Sequence, residues 1–420
     1  MTTYDIDRIR AQFPGLARTH GNQPAVFFDN PAGTQIAQPV IDRMVETMVH
    51  RNANLGGVFT TTVLAKEGVA AAHEAAADFV NAASVDEVFF GQNMTTITFA
   101  LSRAIGRTLQ PGDEIILTRM DHDANVAPWL MLAEDRGLVV KWLDFDLETY
   151  EFDLSQLDTL LTPRIKLVAV GYASNLTGTI NDVKTIAAKA KTVGALVYVD
   201  AVQFAPHGVV DVQALGCDFL VCSAYKFFGP HYGLAWGRRE VLEGLTAYKV
   251  RPAANTPGGR FVTGTTNREE LAGVAGAIDY YAWVGETMGQ PEGDSRRAKI
   301  MAGVEAMTAH DHDMTLRLIE GLKALPGVKI YGITDPAAID RRVPTVSFRA
   351  AAASTVEIVQ AMADNGIYVW SGHNYAIEPC RAFGILEDGG VVRVGLAHYN
   401  TLAEVERFLA LLADFLATKG

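Results

Sequence analysis

Between about residues 85 and 240, short apolar runs alternate with stretches of helical period. The runs fall at 87–90, 114–117, 139–143, 166–170, 195–199, 219–222 and 234–236, and each reads as a strand. Between several of them, over 95–108, 124–135 and 182–193, apolar positions recur with the period of a helix that buries one face. Such alternation predicts an α/β domain around a mostly parallel, seven-stranded sheet. The runs are apolar at successive positions, not only at alternate ones, so both faces of that sheet are expected to be covered.

A Gly- and Pro-rich stretch, 251–259, breaks the pattern. Helical segments follow, then strands expected at 328–331, 345–348, 367–370 and 391–394, with helices at 355–364 and 403–416. These predict a smaller α+β domain. The chain therefore divides into an N-terminal segment (1–25) packing with the small domain, a large domain (26–285) and a small C-terminal domain (286–420). The Ala-rich stretch 69–79 reads as a packed helix, and the loop 253–261 either covers a site or is ordinary surface.

The formal net charge is −12, with no basic run, which argues against a nucleic-acid partner. No apolar signal core opens the chain and no stretch approaches the roughly 20 apolar residues of a membrane span. A soluble cytoplasmic protein is expected. Cys217, Cys222 and Cys380 give no disulfide framework. If the chain is extended through Cys217 and Cys222, the two point to opposite faces and are packing residues. His310-Asp-His312-Asp313 has the wrong spacing for one helix face and reads as a solvated helix start, so no metal is expected.

Three segments sit at the C-terminal ends of candidate strands, where sites of open α/β sheets gather. They are Tyr198-Val-Asp200-Ala-Val-Gln203, Cys222-Ser223-Ala-Tyr225-Lys226-Phe-Phe-Gly229-Pro230, and the turn Gly91-Gln-Asn93-Met94-Thr95-Thr96. A lysine ending a buried strand either reaches solvent or, desolvated, offers a neutral amine to a carbonyl. An aspartate ending the neighbouring strand caps a turn or keeps a pyridine nitrogen protonated. Gln203 faces water or bonds a ring oxygen. The Asn93–Thr96 turn is an ordinary cap or an anion site for a phosphate, with Ser223 as a further contact. Together they point to pyridoxal 5'-phosphate (PLP). Neither G-x-G-x-x-G nor a P-loop motif is present.

These residues resemble the class V aminotransferase family, PLP fold type I, and within it the group II cysteine desulfurases and selenocysteine lyases. The resemblance runs from Phe27-Phe-Asp-Asn-Pro-Ala to Arg393-Val-Gly-Leu-Ala-His-Tyr-Asn400. It passes through Pro111-Gly-Asp-Glu-Ile-Ile, Asp121-His-Asp-Ala-Asn-Val-Ala-Pro-Trp129 and Ser174-Asn-Leu-Thr-Gly-Thr-Ile-Asn181. It implies that Lys226 is the Schiff-base lysine, Asp200 the partner of the pyridine nitrogen, and Gln203 that of the phenolic oxygen. It also implies that His122 stacks on the ring, that Asn175 lies beside it and near the substrate carboxylate, and that Arg393 grips that carboxylate. Thr265 corresponds to a residue that reaches the phosphate of a partner subunit, so a homodimer with shared sites is implied.

Departures from the family bear on the reaction. The family's desulfurases carry Gly-His-His-Cys-Ala on a loop where this chain has Gly372-His373-Asn374-Tyr375-Ala376, with tyrosine in the cysteine's place. Without that thiolate the usual persulfide route loses its acceptor. Cys380 is the sole neighbouring thiol and serves only if the loop is reshaped. Trp370 stands where an arginine is expected, and Tyr225 where a histidine precedes the lysine. The leading expectation is a PLP-dependent β-elimination (C–S) lyase or desulfurase-like enzyme acting on an amino acid, with Tyr375 a proton donor or a packing ring. Alternatives are a racemase or epimerase, an aminotransferase and, last, a non-catalytic binding protein.

Overall fold

The computed structural model describes residues 4–419. Its central sheet has seven strands: Val88–Gly91 (β1), Glu114–Thr118 (β2), Val139–Leu143 (β3), Ile165–Gly171 (β4), Leu196–Asp200 (β5), Phe219–Ser223 (β6) and Gly233–Gly237 (β7). They lie in the order β1-β7-β6-β5-β4-β2-β3, with β7 antiparallel to both of its neighbours and the other pairs parallel. Along β4, Val168 and Val170 enter one core cluster, and Leu167 and Ala169 enter another on the opposite face. Helices Met94–Gly106 and Ala127–Arg136 supply the second cluster, while Val183–Lys191 and Arg268–Met288 supply the first. A sheet covered in this way has no polar face, hence the unbroken apolar runs. The edge strand β3 is the exception, since Val139 is exposed and 140–142 are only half-buried.

A second sheet contains Val328–Tyr331 (β8), Thr345–Ala350 (β9), Trp370–Gly372 (β10) and Val391–Gly395 (β11), antiparallel in the order β8-β9-β11-β10. Helices Thr355–Ala363 and Leu402–Ala417 pack on it, each opened by a reciprocal capping box, Ser354 with Glu357 and Thr401 with Glu404. The single strand expected at 367–370 is divided. Ile367–Tyr368 pairs in parallel with Val26–Phe27, and only from Trp370 does the chain join the second sheet. One apolar run thus serves two partners.

Two other expectations are corrected. His310, Asp311, His312 and Asp313 lie in the middle of the 29-residue helix Arg296–Ala324, not at its start. Asp311 is buried and bonded to His207 at 3.1 Å, while His310 bonds the Asn400 carbonyl at 3.0 Å. Cys217 and Cys222 are both buried and unpaired, but they pack into the same core cluster. The strand begins only at Phe219, after a left-handed turn at Gly216 (φ +71°), so the period of two does not connect them.

The N-terminal segment and the last strand are tied together beside the site. Tyr4 donates to the His398 carbonyl (3.0 Å) and Arg10 to that of Tyr399 (2.7 Å). Phe13 packs against Phe228 and Tyr280 as well as Tyr399, so this segment touches residues of both sheets' surroundings. Asn30 donates to the carbonyls of Phe27 (2.9 Å) and Gly395 (2.8 Å), and accepts from the Tyr399 hydroxyl. This knot fixes the loop 29–34 against the end of β11.

Candidate functional site

The C-terminal ends of β1, β5 and β6 open into one recess. Asp200 is the last residue of β5, and Lys226 lies in the short 3-10 turn Ala224–Lys226 that follows β6. Parallel pairing of β5 with β6 brings the two ends side by side. An inner part of 70 Å³ is lined by Asn93, Met94, Thr95, His122, Asn175, Asp200, Gln203, Ser223, Tyr225 and Lys226, together with Val202 and Ala173. It shares His122, Asn175, Tyr225 and Lys226 with an outer part of 350 Å³, which adds Arg393, His373, Asn374, Tyr375 and Trp370.

The floor is a buried charge constellation. Lys226 is buried and donates from Nζ to the Pro31 carbonyl. Burial, reinforced by the Arg393 guanidinium, brings its ammonium down to about 7, against the pull of Asp200. Burial also carries Asp200 up to about 6, although the Val202 N–H (2.9 Å) and Lys226 stabilise its anion. His122 is driven down to about 3 by burial and then by the charges of Lys226 and Arg393, so its imidazole stays neutral. Its Nδ1 accepts the Ala124 N–H at 3.0 Å, which leaves the proton on Nε2.

At the anion end, Asn93 caps Met94–Gly106. Its side chain accepts the Thr96 N–H at 2.9 Å, and the Thr96 hydroxyl returns to the Asn93 backbone. The first helical N–H groups, those of Met94 and Thr95, have no intrahelical acceptor by geometry, and both residues line the recess. Gly233 on β7 allows this approach: a Cβ there would stand 2.6 Å from Asn93 C and 2.8 Å from Met94 N.

At the mouth, Arg393 extends from β11, buried, and donates to the Asn175 carbonyl at 3.0 Å. Tyr375 lies over His122, with ring centroids 5.3 Å apart and planes at 22°. Asn374 and Tyr375 both have positive φ, +50° and +59°, which side chains other than glycine's rarely adopt. Three hydrogen bonds hold this strained pair: Asn175 Nδ2 to the Asn374 carbonyl (2.8 Å), the Asp123 N–H to the Tyr375 carbonyl (2.8 Å), and the Tyr375 N–H to His373 Nδ1 (3.0 Å). Cys380 is buried behind this loop and is not part of the recess lining. Burial pushes its thiol up to about 11.

Several polar atoms of the recess have no partner. Asn175 Oδ1, Gln203 Oε1 and Arg393 Nε are buried and unbonded. Gln203 bonds the Thr345 hydroxyl at 3.0 Å, and since that hydroxyl accepts or donates, Gln203 can present either its oxygen or its NH₂ to the recess. Unpaired buried groups are costly. Together with a buried amine, a carboxylate and a helix N-terminus, they form a donor set that fits a phosphorylated pyridine aldehyde.

Thr265 is not among these residues. It lines a separate 620 Å³ cavity with Thr96, Gln92 and Glu270. The loop 253–261 borders that cavity too and not the Lys226 recess: Gly258 donates to the Asp86 carbonyl at 2.7 Å and Phe261 packs on Phe89. Sequence reasoning missed the Pro31 carbonyl and the buried Asp121. The latter accepts from Gly171 N (2.9 Å) and Asn125 (2.6 Å) at the end of β4. Any residue carries a carbonyl, so composition gave no signal for the first; the run beginning at Asp121 was the signal for the second.

The model of the aminotransferase class-V family matches residues 26–408. A cysteine desulfurase of Pectobacterium carotovorum (strain PC1) is 33% identical over 97% of each chain. An aminotransferase-like protein, FGM3, of Gibberella zeae is 34% identical over 98% of each. Among solved structures, a cysteine desulfurase from Thermococcus onnurineus NA1 superposes with a TM-score of 0.88 at 27% identity, covering both chains fully.

Proposed function

Since the chain belongs to the class V aminotransferase family, we propose that it is a PLP-dependent enzyme that holds its cofactor on Lys226 and eliminates a leaving group from Cβ of an amino acid, as a C–S lyase. The observation that carries this reading is the burial of Lys226 and Asp200 in one recess, close enough for each charge to act on the other, with Arg393 near enough to act on Lys226. When bound, PLP supplies an aldehyde for the amine and a cationic pyridine ring that draws electrons from the substrate's Cα. The chain's own residues do the rest. Asp200, anionic above about pH 6, holds a proton at the pyridine nitrogen. Met94 and Thr95 N–H groups, with the side chains of Thr95 and Ser223, receive the phosphate. His122 and Gln203 orient the ring. Arg393 and Asn175 bind the α-carboxylate, and His373 and Tyr375 line the substrate's side of the recess. Lys226 takes the Cα proton. The sulfur leaves Cβ as thiolate with the C–S electron pair and takes up a proton to become the free thiol, while one water supplies the oxygen of the keto acid as ammonia is released.

The persulfide route of a desulfurase is not supported by this loop. Tyr375 stands at the cysteine position, and the Cys380 thiol is buried and held protonated. Incubation with S-substituted cysteines tests the reading: pyruvate and ammonia in equal amounts are expected. Deuterium from solvent at Cα without breakdown would point instead to epimerisation, and amino-group loss only with a keto acid to transamination.

We further infer a homodimer with shared sites. Val45, Met48, Val49, Leu55, Val58, Phe59 and Val63 are exposed on one stretch of chain, and Thr265 lies outside its own recess. Sedimentation of the holoenzyme tests this. No helix among the described residues is long and apolar enough to cross a membrane, and the three cysteines are unpaired, which suits a reducing cytoplasm.

A further inference from the structure

The outer recess is large and carries no acid. Among the residues this chain supplies to it, the cationic groups are Arg393 and Lys226, and no Asp or Glu lines it. On the reading above, Lys226 is committed to the cofactor and Arg393 to the α-carboxylate. An acidic side chain on the substrate would then find no free cation, and a basic one no carboxylate, so either would lose hydration without a partner. Asp29 lines only the adjoining groove, where Arg393 already answers its charge.

The walls of the recess are aromatic. Trp370 and Tyr375 flank it with 51% and 65% of their surface exposed, unusual for rings of this size. Trp370, Ala32 and Tyr225 are also shared with a neighbouring groove of 480 Å³ that continues past Pro14, Ile36 and Ile41. At roughly 30 Å³ per water, the 350 Å³ outer part holds about a dozen waters. The CH₂–SH of cysteine would displace few of them and would leave both rings wet.

We propose that this recess selects an α-amino acid with a large, uncharged side chain, gripped between Trp370 and Tyr375 and continuing over Trp370 into the adjoining groove. The proposal rests on the reading of Lys226 and Arg393 as cofactor and carboxylate residues, and names the substrate class of that site. The arginine expected at the Trp370 position is absent, which removes the cation that a small or acidic substrate could have used. Two hydrogen bonds fix the Tyr375 backbone, and its ring lies over His122 with most of its surface exposed, so it presents an aromatic face at the mouth.

The test is equilibrium binding to the holoenzyme, read as the change in cofactor absorbance, for S-benzylcysteine, cysteine, aspartate and lysine. S-benzylcysteine is expected to bind at least tenfold more tightly than the other three. Trp370→Ala should erase most of that preference through binding, not through turnover number, and Trp370→Phe should restore part of it. Equal or tighter binding of cysteine, aspartate or lysine overturns the proposal while leaving the PLP reading intact, as does a Trp370→Ala protein with an unchanged preference. If a PLP-loaded protein responds to no amino acid of any class, the underlying reading fails and this one with it.

Discussion

Gly233 lies on β7, between β1 and β6, and carries no chemistry, yet replacing it should strike the cofactor's phosphate. In Gly233→Ala the new Cβ would stand 2.6 Å from Asn93 C and 2.8 Å from both Met94 N and Ile97 Cδ1. Ordinary contact begins near 3.4 Å, so the helix start must retreat by about 0.8 Å, and backbone cannot yield as a flexible side chain does. Overpacking of this kind costs roughly 1–3 kcal/mol of stability. The retreat also draws the Met94 and Thr95 N–H groups off the phosphate. Hydrogen bonds to a charged group are worth roughly 1.5–3 kcal/mol each, so loss of about one such bond weakens PLP roughly tenfold to a hundredfold. Lys226, in the turn after β6, and Asp200, at the end of β5, keep their places. Apo-protein should therefore be titrated with PLP and with pyridoxal, which lacks the phosphate. The expected result is a large loss for PLP and little change for pyridoxal. Equal losses for the two, or none for either, would refute the argument that β7 sets the position of the helix.

Four further outcomes follow from the site. The rate at which apo-protein captures PLP should rise with pH around a midpoint of about 7, because the folded Lys226 is depressed to that value and reacts as the neutral amine; a midpoint near that of free lysine would contradict it. Lys226→Ala should lose the label that borohydride otherwise fixes on the protein, and turnover with it. Asp121 is raised to about 7 by burial, so its carboxyl binds its proton more tightly in the folded than in the unfolded chain. Its stabilising contribution is complete below about pH 4 and lost as pH rises through about 7, so the stability gap between wild type and Asp121→Asn in urea melts should shrink over that span; a gap that widens sinks the assignment. Cys380→Ser should leave lyase turnover within twofold, whereas its loss would restore a sulfur-accepting role to that thiol.

Much of this could be read from the chain because two physical signals are strong. Strands buried on both faces must be apolar throughout, so β1 to β7 emerged to within a residue at each end, and the ends of β5 and β6 fell where Asp200 and Lys226 demand. Signals failed where one pattern serves two structures. The run 367–370 does not reveal that the chain changes partner sheets at Val369. The His310–Asp313 segment looked solvated because polar side chains that bond one another inside a fold are composed like those that face water. The Cys217–Cys222 spacing assumes extended backbone throughout, but the strand starts only at Phe219, two residues after Cys217. The Pro31 carbonyl beside Lys226 was illegible altogether, since backbone acceptors leave no mark in a sequence.

That carbonyl has a consequence for loading. Pro31 sits in the loop that Asn30 bolts to Gly395, two residues beyond Arg393, so the amine awaiting the cofactor is moored to the same seam that aims the carboxylate clamp. Once the nitrogen turns to the aldehyde, that mooring is cast off, and the seam between residues 28–34 and 391–395 should exchange its amide hydrogens faster in a way that tracks occupancy.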